Sequence, residues 1–74
     1  MKRHDKYRQL RMLRAGAKWT QLQLALKANV NQSRVSLIEN GWDDPTEDER
    51  RQIAKAFQMS EAEVFPSTSE QVAS

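Results

Sequence analysis

An all-α fold of five short helices in one small domain is predicted for this chain by three observations. Its 74 residues stand near the size at which a single core only just suffices, which favours short, tightly packed elements. Apolar residues recur at three- and four-residue spacing, with no alternating strand pattern and no internal repeat. Helix-starting residues recur along the chain at Thr20, Asn31, Thr46 and Ser60, and three of the four have Gln or Glu three positions later, the reciprocal capping arrangement. The domain is expected over residues 1–66, followed by a polar tail.

The first helix is expected from Asp5 to Ala17, with Tyr7, Leu10, Leu13 and Ala17 as its apolar stripe. A second begins at Gln21: Thr20 and Gln23 fit a capping box, and Trp19 and Leu24 bracket the start as a hydrophobic staple. Leu24, Ala25 and Ala28 face inward, and the alanines let backbones approach closely. The helix lasts two turns, because Asn29 stands where the chain must turn and tolerates the left-handed conformation. A third helix begins at Gln32, capped by Asn31 between the staple residues Val30 and Val35, and stops at Asn40 and Gly41. Thr46 with Glu49 opens a fourth, carrying Ile53, Ala54 and Phe57 inward. Ser60 with Glu63, and Met59 stapled to Val64, open a short fifth that Pro66 closes. Residues 67–74 are small and polar with little to bury, so a disordered tail is expected.

Composition narrows the function classes. Without cysteine, neither disulfides nor thiolate metal chemistry is available. No apolar run reaches membrane-spanning length and no signal-peptide core is visible, so a cytoplasmic protein without membrane contact is expected. His4 is the single histidine, and no paired carboxylates, phosphate loop or nucleophile constellation accompanies it. No enzyme, cofactor or metal is therefore expected. Net charge is only +2, but residues 1–38 hold nine Lys and Arg against Asp5 alone, while residues 39–74 hold three against nine acids. A basic half is what attraction to nucleic-acid phosphates requires.

The second and third helices lie within that half or at its edge. Projected at about 100° per residue, helix 3 puts Val35 and Ile38 on one side and Ser33, Ser36, Leu37 and Asn40 on the other, with Gln32 and Arg34 flanking the outer face. Two short helices, a tight turn and a polar outer face describe a device that reads DNA, although an ordinary helical hairpin with solvated outer residues has the same spacing.

Five ordered blocks decide between them: LRMLR at 10–14, TQLQLA at 20–25, VNQSRVSLIENG at 30–41, PT at 45–46, and IAKAF followed by SEAEVF within 53–65. With these the chain resembles the Cro and phage-repressor, or XRE-type, helix-turn-helix family from about Tyr7 to Phe65. The resemblance implies a five-helix lambda-repressor-like DNA-binding domain, a sequence-specific regulator of transcription acting as a repressor, double-stranded DNA as partner and a homodimer on DNA. In the family's docking mode the start of helix 3 enters the major groove and helix 2 crosses the backbone. Base contacts are then expected from Gln32, Ser33, Ser36 and Leu37, the glutamine suiting adenine and the leucine a thymine methyl. Backbone contacts are expected from Thr20, Gln21, Asn31, Asn40 and Arg11. Gln21 would also brace the glutamine of helix 3, and Arg34, which could reach either a phosphate or a guanine, is expected among the backbone contacts.

Arg14 projects into the stripe of helix 1 and Glu39 toward the Val35 side of helix 3, so each would be buried alone unless they meet; family members pair an arginine and a glutamate at these positions. Other features depart from the pattern. Lys18 occupies a place usually held by glycine, with Gly16 nearby, Asn29 replaces the turn glycine, and Asp43 and Asp44 stand where relatives place basic residues. Either that connection points away from the duplex, or Trp42 and the acidic half serve another contact. Helix 5 and Trp42 are candidates for a dimer interface, or Trp42 caps the core end of helix 3. The alternative function is a protein-interaction module, antitoxin-like or a helper subunit, that retains the fold.

Overall fold

The computed structural model describes residues 6–66, and these form five helices: α1 Arg8–Gly16, α2 Gln21–Ala28, α3 Gln32–Glu39, α4 Glu47–Phe57 and α5 Glu61–Val64. No strand occurs among the described residues. The expected tail 67–74, His4 and the Asp5 start of helix 1 lie outside them. Lys6 and Tyr7 form a turn, so α1 starts at Arg8, later than the stripe suggested.

Three helix starts are closed by reciprocal capping boxes. Thr20 Oγ1 accepts from Gln23 N at 3.0 Å while Thr20 N donates to Gln23 Oε1 at 2.7 Å. The same exchange joins Thr46 with Glu49, at 3.1 and 2.9 Å, and Ser60 with Glu63, at 3.2 and 2.8 Å. Each satisfies two backbone or cap donors that the first turn leaves without helical partners. α3 is the exception. Asn31 makes no side-chain capping bond; its ψ of 138° falls short of the 159–167° at the three boxed caps, and only its carbonyl engages the helix, accepting from Arg34 N and Val35 N.

The ends of the first four helices follow one pattern, the Schellman motif. The amide of Trp19 bonds to Arg14 O, Val30 to Ala25 O, Trp42 to Leu37 O and Met59 to Ala54 O, at 2.9–3.1 Å. The residue before each of these amides has positive φ: Lys18 62°, Asn29 56°, Gly41 74° and Gln58 57°. Four sharp reversals fold a short chain back on itself four times, and only one of them uses glycine.

The core is made by Leu10, Leu24, Ala25, Ala28, Val35, Ile38, Ile53, Ala54 and Val64, all buried. Each fully buried leucine, isoleucine or valine side chain contributes roughly 1.5–3 kcal/mol, the alanines less. α2 packs against both α3 and α4, α1 against α3 and α5, and α4 against α5. Tyr7, Leu13, Trp19, Val30, Phe57 and Phe65 pack partly buried around this centre. Trp19 stacks on Phe57 with ring centroids 4.9 Å apart and carries the Lys27 ammonium on its ring. Tyr7 meets Phe65 edge-on at 6.0 Å. Two assignments need correcting: Ala17 of the expected stripe is exposed, α1 already ending at Gly16, and Trp42 is 65% exposed, so it does not cap the core end of α3.

Candidate nucleic-acid interface

α3 turns Val35, Ile38 and Glu39 into the protein and leaves Gln32, Ser33 and Leu37 outside, Leu37 with 39% of its surface exposed. This follows from helical geometry: positions 35, 38 and 39 share one face, and 33 and 37 lie one turn apart on the other. Ser36 is half-buried, and Asn40 Nδ2 donates to Ser36 O at 2.8 Å, with Ser36 Oγ 3.4 Å away. The exposed Asn40 thus bonds back to the last turn of its own helix, its side chain sharing the Ser36 carbonyl with its own backbone amide.

The inner face of α3 is held by a charge cluster. Arg14 Nε donates to Glu39 Oε2 at 2.6 Å and Arg14 Nη2 to Glu39 Oε1 at 3.1 Å, a two-pronged match of guanidinium to carboxylate. Glu39 is 1% and Arg14 21% exposed at the side chain. Arg14 Nη1 also donates to Trp19 O at 2.8 Å, so one side chain ties α1, the connection to α2 and α3 together. Gln21 Nε2 donates to the same Glu39 Oε1 at 3.1 Å. The Gln21 amide thus braces the glutamate of α3 from within, where a carboxylate is the stronger acceptor. Arg11 Nη1 donates to Glu39 O at 2.9 Å, at the helix end where positive charge is favoured. No buried polar side-chain atom among the described residues lacks a hydrogen-bond partner.

Arg34 is likewise engaged within the protein. Its Nε donates to Glu49 Oε2 at 2.8 Å and its Nη2 to Glu49 Oε1 at 2.9 Å; Nη1 donates to Asp43 Oδ2 at 2.6 Å and Nη2 to Asp44 O at 3.1 Å. The guanidinium is turned onto protein carboxylates. Asp44 in turn accepts from the Tyr7 hydroxyl at 2.5 Å and pairs with Lys6 Nζ at 2.7 Å. The two aspartates that would repel a duplex are thus both engaged by cations of the same molecule. Hydrogen bonding to Arg34 holds the Asp43 and Glu49 carboxyls below their ordinary range, and Lys6 with Tyr7 does the same for Asp44. Tyr7 is pushed upward, first by burial and then by its bond to Asp44.

Thr20 and Asn31 are exposed at the starts of α2 and α3, with the Thr20 hydroxyl committed to its cap and the Asn31 side chain making none. The basic residues Lys18 and Lys27 flank them, both exposed. Among the described residues no group of three His, Cys, Asp or Glu side chains is arranged to hold a metal ion, and no helix is long and apolar enough to cross a membrane. Sequence reasoning found the Arg14–Glu39 pair and the outward row. It missed the Arg34 cluster, for which the only signal was a surplus of acids at 43, 44 and 49 close after a lone arginine.

The sequence profile of the helix-turn-helix family matches residues 10–64, from the first core leucine to the end of α5. No curated protein and no solved structure is a significant match to the chain.

Proposed function

This chain belongs to the Cro- and phage-repressor-type helix-turn-helix family of DNA-binding regulators, and from that premise we propose that it represses transcription by reading the major groove with α3. The observation that carries the reading is the exposed row Gln32, Ser33 and Leu37 on a helix whose opposite side is anchored by Val35, Ile38 and the Arg14–Glu39 pair. A reading element must be rigid behind and bare in front. Gln32 serves adenine with a paired donor and acceptor, Ser33 takes a hydroxyl contact, Leu37 meets a thymine methyl, and Ser36 stands at the edge of the row. Thr20, Asn31 and the lysines around them approach the backbone. The site of action is the cytoplasm or nucleoid.

One domain of this size covers few base pairs, so a homodimer on two half-sites about 10 base pairs apart is the functional unit. In a gel-shift series, log affinity should fall steeply and linearly with log salt as phosphate counterions are released. Gln32→Ala should cost about 1–3 kcal/mol at one base position and leave binding to unrelated duplex nearly intact. A flat salt series, or equal loss on every sequence, would overturn the reading.

The exposed indole of Trp42 favours a second activity on the same fold, a protein contact beside the DNA surface. Loss of a co-purifying partner in Trp42→Ala with DNA affinity retained is the outcome that supports it; retention of the partner removes it.

A further inference from the structure

We propose that Arg34 is a positioning residue, an internal clamp that sets how α3 is presented and keeps the 40–46 connection off the DNA backbone. The inference rests on the reading of α3 as the recognition helix. Four hydrogen bonds radiate from this one side chain to three places: both carboxylate oxygens of Glu49 in the first turn of α4, the Asp43 carboxylate and the Asp44 carbonyl in the connection. The two parallel bonds to Glu49 fix the direction of the guanidinium as well as its distance, which a lysine ammonium cannot do.

Glu49 is itself immobilised. Its Oε1 accepts from Thr46 N and its own amide bonds to Thr46 Oγ1, so the anchor for Arg34 is a helix cap and not a free surface acid. Asp43 is braced by the Asp44 amide, at 2.8 Å, and Asp44 passes the restraint to Tyr7 and Lys6 ahead of α1. The Arg34 side chain is 26% and that of Glu49 16% exposed, so the pair is shielded more than a surface ion pair. For Arg34 to reach a phosphate it would have to exchange these carboxylates for another anion and release the Asp43 carboxylate, while Asp44 would keep its Tyr7 and Lys6 partners. The geometry favours leaving it in place, with α3, the connection and α4 held as one unit.

Two variants test this without stripping the capping box or the charge of α3: Glu49→Gln, since glutamine also serves a box, and Arg34→Lys. In the free protein, amide hydrogen exchange over residues 41–44 should quicken about tenfold in both, while the α2 amides stay protected. On DNA, with a duplex selected from a random pool compared against a scrambled one, discrimination should fall about tenfold in both. Affinity for the scrambled duplex should stay within about twofold in Arg34→Lys.

The contrary role, Arg34 as a phosphate ligand, gives different results. Arg34→Lys would then keep its discrimination, and Glu49→Gln would bind the scrambled duplex more tightly as the guanidinium is released. Either of these results, or unchanged exchange in both variants, overturns the clamp. The exchange measurement decides the clamp even if the unaltered protein fails to distinguish the two duplexes, a failure that would count against the role of α3.

Discussion

Lys18 and Gln58 each hold a left-handed backbone, at φ 62° and 57°, that a β-carbon disfavours by about 1–2 kcal/mol. Glycine removes that cost and returns roughly 0.5–1 kcal/mol of it as greater freedom in the unfolded chain. Lys18→Gly and Gln58→Gly should therefore each raise stability by about 0.5–1 kcal/mol, read as a shift in the urea midpoint at constant m-value. Gly16 presents the opposite case: it lies in α1 and an added β-carbon would meet nothing within 4 Å. Gly16→Ala should stabilise by about 0.4–1 kcal/mol. Lys18 was suspect in the sequence because a glycine was expected at its position. Gln58 carried no signal, since a left-handed glutamine is visible only once α4 is known to end at Phe57 and reverse.

Pairs of elements are held by charges whose burial differs on the two sides, and the difference sets the size of each effect. Arg14→Met leaves Glu39 buried with Gln21 as its remaining side-chain donor, so a loss of about 3–5 kcal/mol is expected. Glu39→Leu should cost less, because the partly exposed Arg14 can turn to water. A double variant that costs less than the sum of the two singles in chemical denaturation is the mark of this coupling; additivity would contradict it. At the other end of α3, Asp43, Asp44 and Glu49 titrate below the ordinary carboxylate range. A carboxylate with a lower value in the folded state adds stability that is complete above its unfolded value, about 4, and is lost as pH falls through the folded one. The thermal midpoint should thus fall as pH is lowered from about 5 toward 2, and Glu49→Gln should make that fall shallower. Tyr7 moves the other way. Its raised value adds stability that is present below about pH 10 and lost above it, and Tyr7→Phe should flatten that alkaline limb.

Across the whole molecule, what was legible in the sequence was whatever is decided within one turn of helix. The boxes at Thr20, Thr46 and Ser60 each depend on a residue three positions away, and the burial of Leu24, Ala28, Val35 and Ile38 follows from helical period alone. Asn31 failed as a side-chain cap because its ψ is set by the tight turn before it, a matter of how α2 and α3 meet. The intramolecular partners of Arg34 were not legible because they arrive from a connection and a helix that the sequence orders but does not orient. Trp42 failed as a core cap because the glycine reversal carries it past the end of α3 into solvent. The proposed dimer makes its prediction at this scale: inserting about five base pairs between the half-sites moves one of them to the far side of the duplex. Binding should then fall to that of a single half-site, measured on duplexes of equal length.

The contact of Tyr7 with Phe65, supported by Gln9 Nε2 donating to Glu63 O at 3.4 Å, brings the first and last described segments together at one pole. Two fluorophores attached at positions 6 and 66 should therefore transfer energy efficiently in the native protein and lose that transfer as the polypeptide expands on denaturation. The molecule supplies its own molecular ruler, able to report melting while every side chain of the reading row stays unlabelled.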